Sequence, residues 1–216
     1  MDKILKIFIG IFLLTSIIGC QTRQQKIDQA LSLSKEHFRN TATIKDDSLE
    51  LQAMIHTRNG FQDKKGLLGI VWDDNFLRAF IDKKTGATLY QVYNIVYYKR
   101  DWRFYNRVNY ETQAGPVAQD LDELDRDVDC TGSKYGGCTF YEHVAFSVPE
   151  SLLRTIAEKY EETRGMKVGW KYRLKSKAGK DYNDGFLASE IAGLLEAVDL
   201  YKKSLSLKST ISSNSR

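Results

Sequence analysis

The densest group of chemistry-bearing side chains in this sequence is acidic: Asp120, Asp122, Glu123, Asp125, Asp127 and Asp129. Hard cations such as calcium prefer several carboxylate oxygens, and Asp125, Asp127 and Asp129 are spaced like the start of a calcium-binding loop. The pattern then fails, because Cys130 stands where such a loop needs Gly and Gly136 where it needs a bidentate Glu. A solvated acidic strand or loop is the favoured reading. The three histidines, His37, His56 and His143, fall on different predicted elements. Glu142 and His143 are adjacent, so on a strand they point to opposite faces and cannot form one site by themselves. His143 would share a face with Tyr141 and Ala145, and no Ser or Cys nucleophile is identifiable beside it. Gly132 and Gly137 have the glycine spacing of a phosphate-binding loop, but Cys138 occupies the position of its Lys. The sequence contains no G-x-S-x-G, H-E-x-x-H or G-x-G-x-x-G. No catalytic residue, metal or cofactor is therefore assigned.

Two basic and aromatic surfaces remain. One spans Tyr97 to Arg107 and carries Tyr98, Arg100, Trp102 and Arg103; the other is a face of Lys167, Lys171, Arg173 and Lys175. Such surfaces suit an anionic membrane, where each basic group contributes about 1 kcal/mol, or an acidic protein partner. The plainer reading is a solvated sheet face with long side chains laid over aromatics. The whole chain has a formal charge of only +4, which gives no electrostatic case for nucleic acid.

The periodicity shows what must position these groups. Ile27, Leu31 and Phe38 predict a short amphipathic helix over about Arg23 to Arg39. Leu49, Leu51, Ala53 and Ile55 alternate as a half-buried strand, and Phe76 to Ile81 is a second. Lys84-Thr85-Gly86 reads as a hairpin turn into Leu89 to Tyr98, which is apolar on both faces and so predicted to lie centrally. Arg103 to Thr112 is a further strand, broken at Ala114-Gly115-Pro116. Val128 to Cys130 and Cys138 to Val148 are predicted as paired strands. Pro149 opens a helix carrying Leu152, Leu153, Ile156, Ala157 and Tyr160 on one face. Met166 to Lys175 alternates as a strand with one core face and one basic face, and Asp184 is the expected cap of a last helix containing Leu187, Ile191, Leu194, Leu195, Val198 and Tyr201. Segregated runs of this kind predict an α+β domain, an antiparallel β-sheet with helices packed on one face. A β-α-β unit across residues 139 to 175 arises if both strands join the same sheet.

The first twenty residues carry a different message. Lys3 and Lys6 precede an apolar run from Ile7 to Ile18, and the stretch closes on Ile17-Ile18-Gly19-Cys20. Residues 7 to 19 supply about thirteen apolar or small residues, short of the roughly twenty that a spanning helix needs. The stretch resembles the signal peptide and lipobox of bacterial lipoproteins, whose cysteine is lipidated and becomes the new N-terminus. That resemblance covers only this segment. It implies residues 1–19 as a cleaved signal peptide and a lipid on Cys20; with the periodicity and composition read above, 20–45 is a lipidated tether with a short helix, 46–203 a single α+β domain, and 204–216 a disordered tail. With Cys20 lipidated, Cys130 and Cys138 remain as a pair in a compartment that permits disulfides, and a bridge between them is the expected staple.

The function implied is that of a membrane-anchored envelope lipoprotein: a non-enzymatic binding or structural module using an aromatic-rich sheet. Its expected partners are the membrane, through the N-terminal lipid, and an envelope protein or anionic lipid. Two alternatives stand beside it. One is a carrier of a lipid or apolar ligand in a sheet-lined cavity, and the other is an envelope hydrolase with a site around His143. The expected location is the periplasm-facing cell envelope, and Gln21 after the cysteine, with no Asp there, resembles the pattern that sends lipoproteins of two-membrane bacteria to the outer membrane.

Overall fold

A computed structural model describes residues 32–60, 74–131, 137–162 and 169–214 of the 216. The expectations for the signal peptide, the lipobox, Cys20, Gln21 and Lys167 lie outside the described residues. Leu33–Arg216 form one compact unit, so the folded body starts well before residue 46. Its first helix, α1 (Lys35–Thr41), is capped by Ser34, whose hydroxyl accepts from the His37 amide at 3.3 Å. Phe38 on this helix is fully buried, which makes the segment part of the domain rather than a tether.

Ten strands follow among the described residues: β1 (Thr43–Lys45), β2 (Gln52–His56), β3 (Asp74–Asp82), β4 (Thr88–Lys99), β5 (Tyr105–Thr112), β6 (Gly115–Asp120), β7 (Asp122–Asp129), β8 (Thr139–Val148), β9 (Gly169–Ser176) and β10 (Tyr182–Leu187). Helix α2 (Glu150–Glu162) lies between β8 and β9, and α3 (Ala188–Asn214) ends the chain. The fold is α+β, as expected. Its strands form two antiparallel sheets rather than one, a six-stranded sheet ordered β1-β2-β3-β4-β8-β7 and a four-stranded sheet ordered β10-β9-β5-β6. Because β8 and β9 join different sheets, the step through α2 makes no β-α-β unit.

The hairpin and the central strand are where the sequence places them. Gly86 adopts φ 73° in the β3–β4 turn, a conformation that costs glycine no Cβ clash. β4 pairs with β3 on one side and β8 on the other. Its alternate residues Tyr90, Val92, Val96 and Tyr98 join the core with Leu77, Ala79, Val144 and Phe146. That same cluster holds Leu153 and Ile156 of α2, Ile191, Leu194 and Val198 of α3, and Val108, Trp170, Tyr172 and Leu174 of the small sheet. Helices and small sheet thus share one face of the large sheet. Helix α3 crosses α1 closely at Gly193, where an added Cβ would lie 2.6 Å from the Lys35 carbonyl oxygen.

Three further sequence expectations are corrected. Asp184 does not cap a helix, because it sits inside β10, where its carboxylate accepts from Asn75 Nδ2 at 2.6 Å. The tail expected to be disordered from Ser204 is helical as far as Asn214, with Leu205 packed on the core one turn beyond Tyr201. Leu49 and Leu51 are exposed, since β2 begins only at Gln52 and buries Ala53 and Ile55.

Cys130 and Cys138 are joined at the neck of the β7–β8 connection, with Cα atoms 4.2 Å apart. Closing so short a loop constrains the unfolded chain by about 2 to 3 kcal/mol. Replacing both cysteines with serine is expected to lower the unfolding free energy by that amount, read as a denaturant midpoint equal to that of the reduced wild type. A double variant as stable as the oxidised protein would show that the bridge carries no stability.

Candidate functional site

Strand alternation sends a second set of residues to the face of the large sheet that the core does not use. From β3 these are Asp74, Phe76, Arg78 and Phe80; from β4, Gln91, Tyr93, Ile95 and Tyr97; from β8, Tyr141, His143 and Ala145. None of Phe76, Phe80, Tyr93, Tyr97 or Tyr141 belongs to the core cluster. They make an aromatic layer of their own.

The register builds that layer into a ladder of rings and cations. Phe76 and Tyr93 face each other across β3 and β4, and their rings stack at 4.8 Å. The Arg58 guanidinium lies 5.6 Å from the Phe76 centroid and pairs with Asp74 at 3.0 Å. Arg78 sits 4.6 Å from the Tyr93 centroid and 5.0 Å from that of Phe80, within the range at which ring quadrupoles attract cations. His143 meets Tyr93 edge-on, and its Nδ1 lies 2.8 Å from the Tyr93 hydroxyl. Tyr97 and Tyr141 extend the row, with ring centroids 5.5 Å apart. Phe80, Tyr93, Tyr97, Tyr141 and His143 are all half-buried, so they are anchored yet reachable from solvent.

Burial sets the electrostatics of this face. It holds the Tyr93 hydroxyl above its ordinary pKa, and therefore neutral, while Arg78 beside it eases the shift. Burial also lowers the His56 imidazole below its ordinary 6.5, helped by Lys45 and Arg58. The unfolded chain then takes up a proton that the folded chain resists, so stability falls as pH drops below the unfolded value. Acidification from about pH 7 to about pH 5 is expected to weaken the fold through this group. His56→Gln should flatten the dependence, and an unchanged slope in urea melts would assign the loss to other residues.

The surface residues expected from the sequence lie elsewhere and are partly dispersed. Tyr98 points into the core at 4% exposure and is not a surface residue. Arg103 stacks on its ring at 4.4 Å. Trp102 packs against Phe140 at 4.8 Å, and Arg100 is exposed with φ 91°. Lys171 and Arg173 are exposed on the outer face of the small sheet, beside a groove of about 400 Å³ that Asn109 and Asn183 also line. Arg173 Nε donates to Asn183 Oδ1 at 2.6 Å, and Lys175 pairs with Asp181. One join between the two surfaces was not legible in the sequence. The Ser176 hydroxyl and the Ala178 amide both donate to the Arg103 carbonyl, which sets the turn carrying Lys177 and Lys180 against Arg100 to Phe104.

Reading the sequence also missed the ladder itself. Phe76, Arg78 and Phe80 do recur at every second position, which marks one strand face. Their partners Gln91, Tyr93 and His143 are set by inter-strand register, which that periodicity does not encode. As expected, Glu142 and His143 face oppositely, Glu142 fully buried and His143 on the ladder. Across β7, Asp125 is the register partner of His143. Among the described residues no serine or cysteine bonds to His143, and no group of three or more His, Cys, Asp or Glu side chains is placed to hold a metal. No helix among the described residues is long and apolar enough to cross a membrane. No protein-family model, curated protein or solved structure matches this chain.

Proposed function

We propose that this chain is a bacterial envelope lipoprotein, held to the membrane by lipid on Cys20, whose folded body is a non-enzymatic binding module. Its working surface is the aromatic face of the six-stranded sheet. The observation carrying this reading is the division of that sheet. One face is filled by helices and the small sheet, while the other presents a separate ladder of half-buried rings and cations. Aromatic and arginine side chains of this kind are the usual anchors of protein recognition. The carrier alternative needs an open cavity behind β4, and Tyr90, Val92 and Val96 there are packed into the core. The hydrolase alternative needs a nucleophile at His143, whose bonded partner is instead the Tyr93 phenol.

Two measurements test the proposal. Labelled palmitate should enter the wild type and be lost from Cys20→Ala together with membrane attachment; incorporation that survives the substitution would reject the anchor. For the binding face, a photo-crosslinking amino acid placed at Tyr97 should trap one discrete envelope component in cells. The same group placed at Lys171, on the outer face of the small sheet, should not. Equal labelling from both positions, or none from either, would reject the aromatic face as the working surface.

A further inference from the structure

Arg78 differs from Arg58 and Arg126 in having no ion-paired carboxylate among the described residues; Asp122 acts on it only at longer range. Arg58 pairs with Asp74, and Arg126 with Glu123 and Glu142. Among the described residues no carboxylate comes within 4.0 Å of the Arg78 guanidinium. Both of the hydrogen bonds it makes among the described residues go to one neutral atom, the Gln91 Oε1, from Nε at 2.8 Å and from Nη2. Gln91 is itself buried, and its Nε2 donates to Asp122 at 3.2 Å, which turns its carbonyl oxygen toward Arg78.

The consequence follows from the shape of the group. A guanidinium has five N–H donors, and the outward Nη1–Nη2 edge is the fork that matches an oxyanion in bidentate fashion. Gln91 uses the Nε side, and the rings of Tyr93 and Phe80 flank the plane. Gln91 also takes one Nη2 N–H, and among the described residues no hydrogen bond reaches Nη1. Opposite Arg78 in the β2–β3 register stands His56, whose Nδ1 is buried with no hydrogen-bond partner among the described residues. A half-buried cation held by a neutral amide keeps its charge available to an incoming anion, whereas a carboxylate in the place of Gln91 would have neutralised it.

We propose that Arg78 is an oxyanion-recognition site, taking a single carboxylate or phosphate group of the ligand that lies on the aromatic face. Tyr93 and Phe80 then contact the apolar part next to that group. This assignment rests on the aromatic face being the working surface, and it gives the chemical class of what binds there.

The test is titration of the ¹⁵N-labelled full-length protein with sodium phosphate, and separately with sodium acetate, at constant ionic strength. The readout is the Arg78 Nε–H resonance, with sodium chloride as the control. A saturable shift with phosphate alone, with acetate alone or with both is the expected result, and it also identifies the oxyanion. Gln91→Glu supplies the missing counter-ion from within and should weaken that binding by at least about tenfold. Arg78→Lys keeps the charge, loses the fork and should weaken it as well. A wild-type shift that never saturates, or equals that in chloride, overturns the proposal, as does full affinity in a folded Gln91→Glu protein. Saturable binding combined with failed crosslinking at Tyr97 would reject the working face while leaving the Arg78 site standing.

Discussion

Glu142→Ala is expected to lower the unfolding free energy by about 3 to 5 kcal/mol, the usual cost of removing one partner from a buried charged network. Glu142 has no exposed surface. Its Oε1 accepts from the Phe104 amide at 2.9 Å and from the Tyr98 hydroxyl, and its Oε2 accepts from the Tyr105 amide at 3.0 Å and from Arg126 Nε at 3.3 Å. These donors lie on β4, on the β4–β5 connection, at the start of β5 and on β7. One carboxylate therefore ties the crossing from the large sheet to the small one. That crossing holds Arg100 at φ 91° and Phe104 at φ 54°, conformations that non-glycine residues keep only when their surroundings enforce them. Alanine would leave the Phe104 and Tyr105 amides and the Tyr98 phenol without their acceptor and would leave Arg126 with Glu123 alone. At roughly 2 to 4 °C per kcal/mol for a domain of this size, the melting temperature should fall by about 6 to 20 °C. Glu142→Gln keeps one acceptor oxygen but turns an amide donor toward other donors, and should fall between alanine and wild type. A thermal melt of Glu142→Ala within about 2 °C of wild type would show that the network is not needed to hold the two sheets.

Phe146→Ala should cost a similar amount, about 3 to 5 kcal/mol, for a different reason. Phe146 is 1% exposed on β8, and its ring centroid lies 5.9 Å from Tyr110, 5.3 Å from Tyr172 and 6.3 Å from Trp170. It is the large-sheet side chain around which the aromatic residues of the small sheet close. Truncation removes the transferred apolar area and leaves a cavity that stiff rings cannot collapse to fill. Phe146→Leu keeps most of the volume and should cost less than about 1.5 kcal/mol. Leu200→Ala, at 55% exposure, serves as the control and should change stability by no more than about 0.5 kcal/mol. Equal denaturant midpoints for Phe146→Ala and Leu200→Ala would contradict the packing described for the sheet interface.

Most elements could be found by reading periodicity, and the misses share a cause. The strand over Leu89 to Tyr98 is rich in β-branched and aromatic residues, and it is indeed the centre of the large sheet. The basic strand around Lys171 alternates as expected, with Trp170, Tyr172 and Leu174 buried. β6, by contrast, reads Gly-Pro-Val-Ala-Gln-Asp, and β10 reads Tyr-Asn-Asp-Gly-Phe-Leu. Neither has strong strand propensity, and both are edge strands held by pairing with β5 and β9. In β10 the close approach to β9 also requires Gly185, since a Cβ there would lie 2.4 Å from the Trp170 carbonyl oxygen. Tertiary pairing overrode local preference at these positions, a difference that no window of sequence contains.

The candidate site shows the same limit. That Glu142 and His143 part to opposite faces follows from strand alternation alone, and the pairing of Cys130 with Cys138 is expected once Cys20 is set aside for lipid. The α+β class, the central strand and the apolar stripes of α2 and α3 are likewise properties of the order of residues along the chain, because they depend on periods of two and of about 3.6. The distribution of strands between two sheets, the network around Glu142 and the placement of Arg78 between Tyr93 and Phe80 with Gln91 as its acceptor are of another kind. They depend on which strands pair and in what register. Phe76 meets Tyr93, and Arg78 meets Gln91, only because β3 and β4 pair antiparallel across one particular turn. A shift of one residue would send each of these side chains to the opposite face. Local sequence therefore decides which residues can face the same way, and long-range packing decides which of them meet.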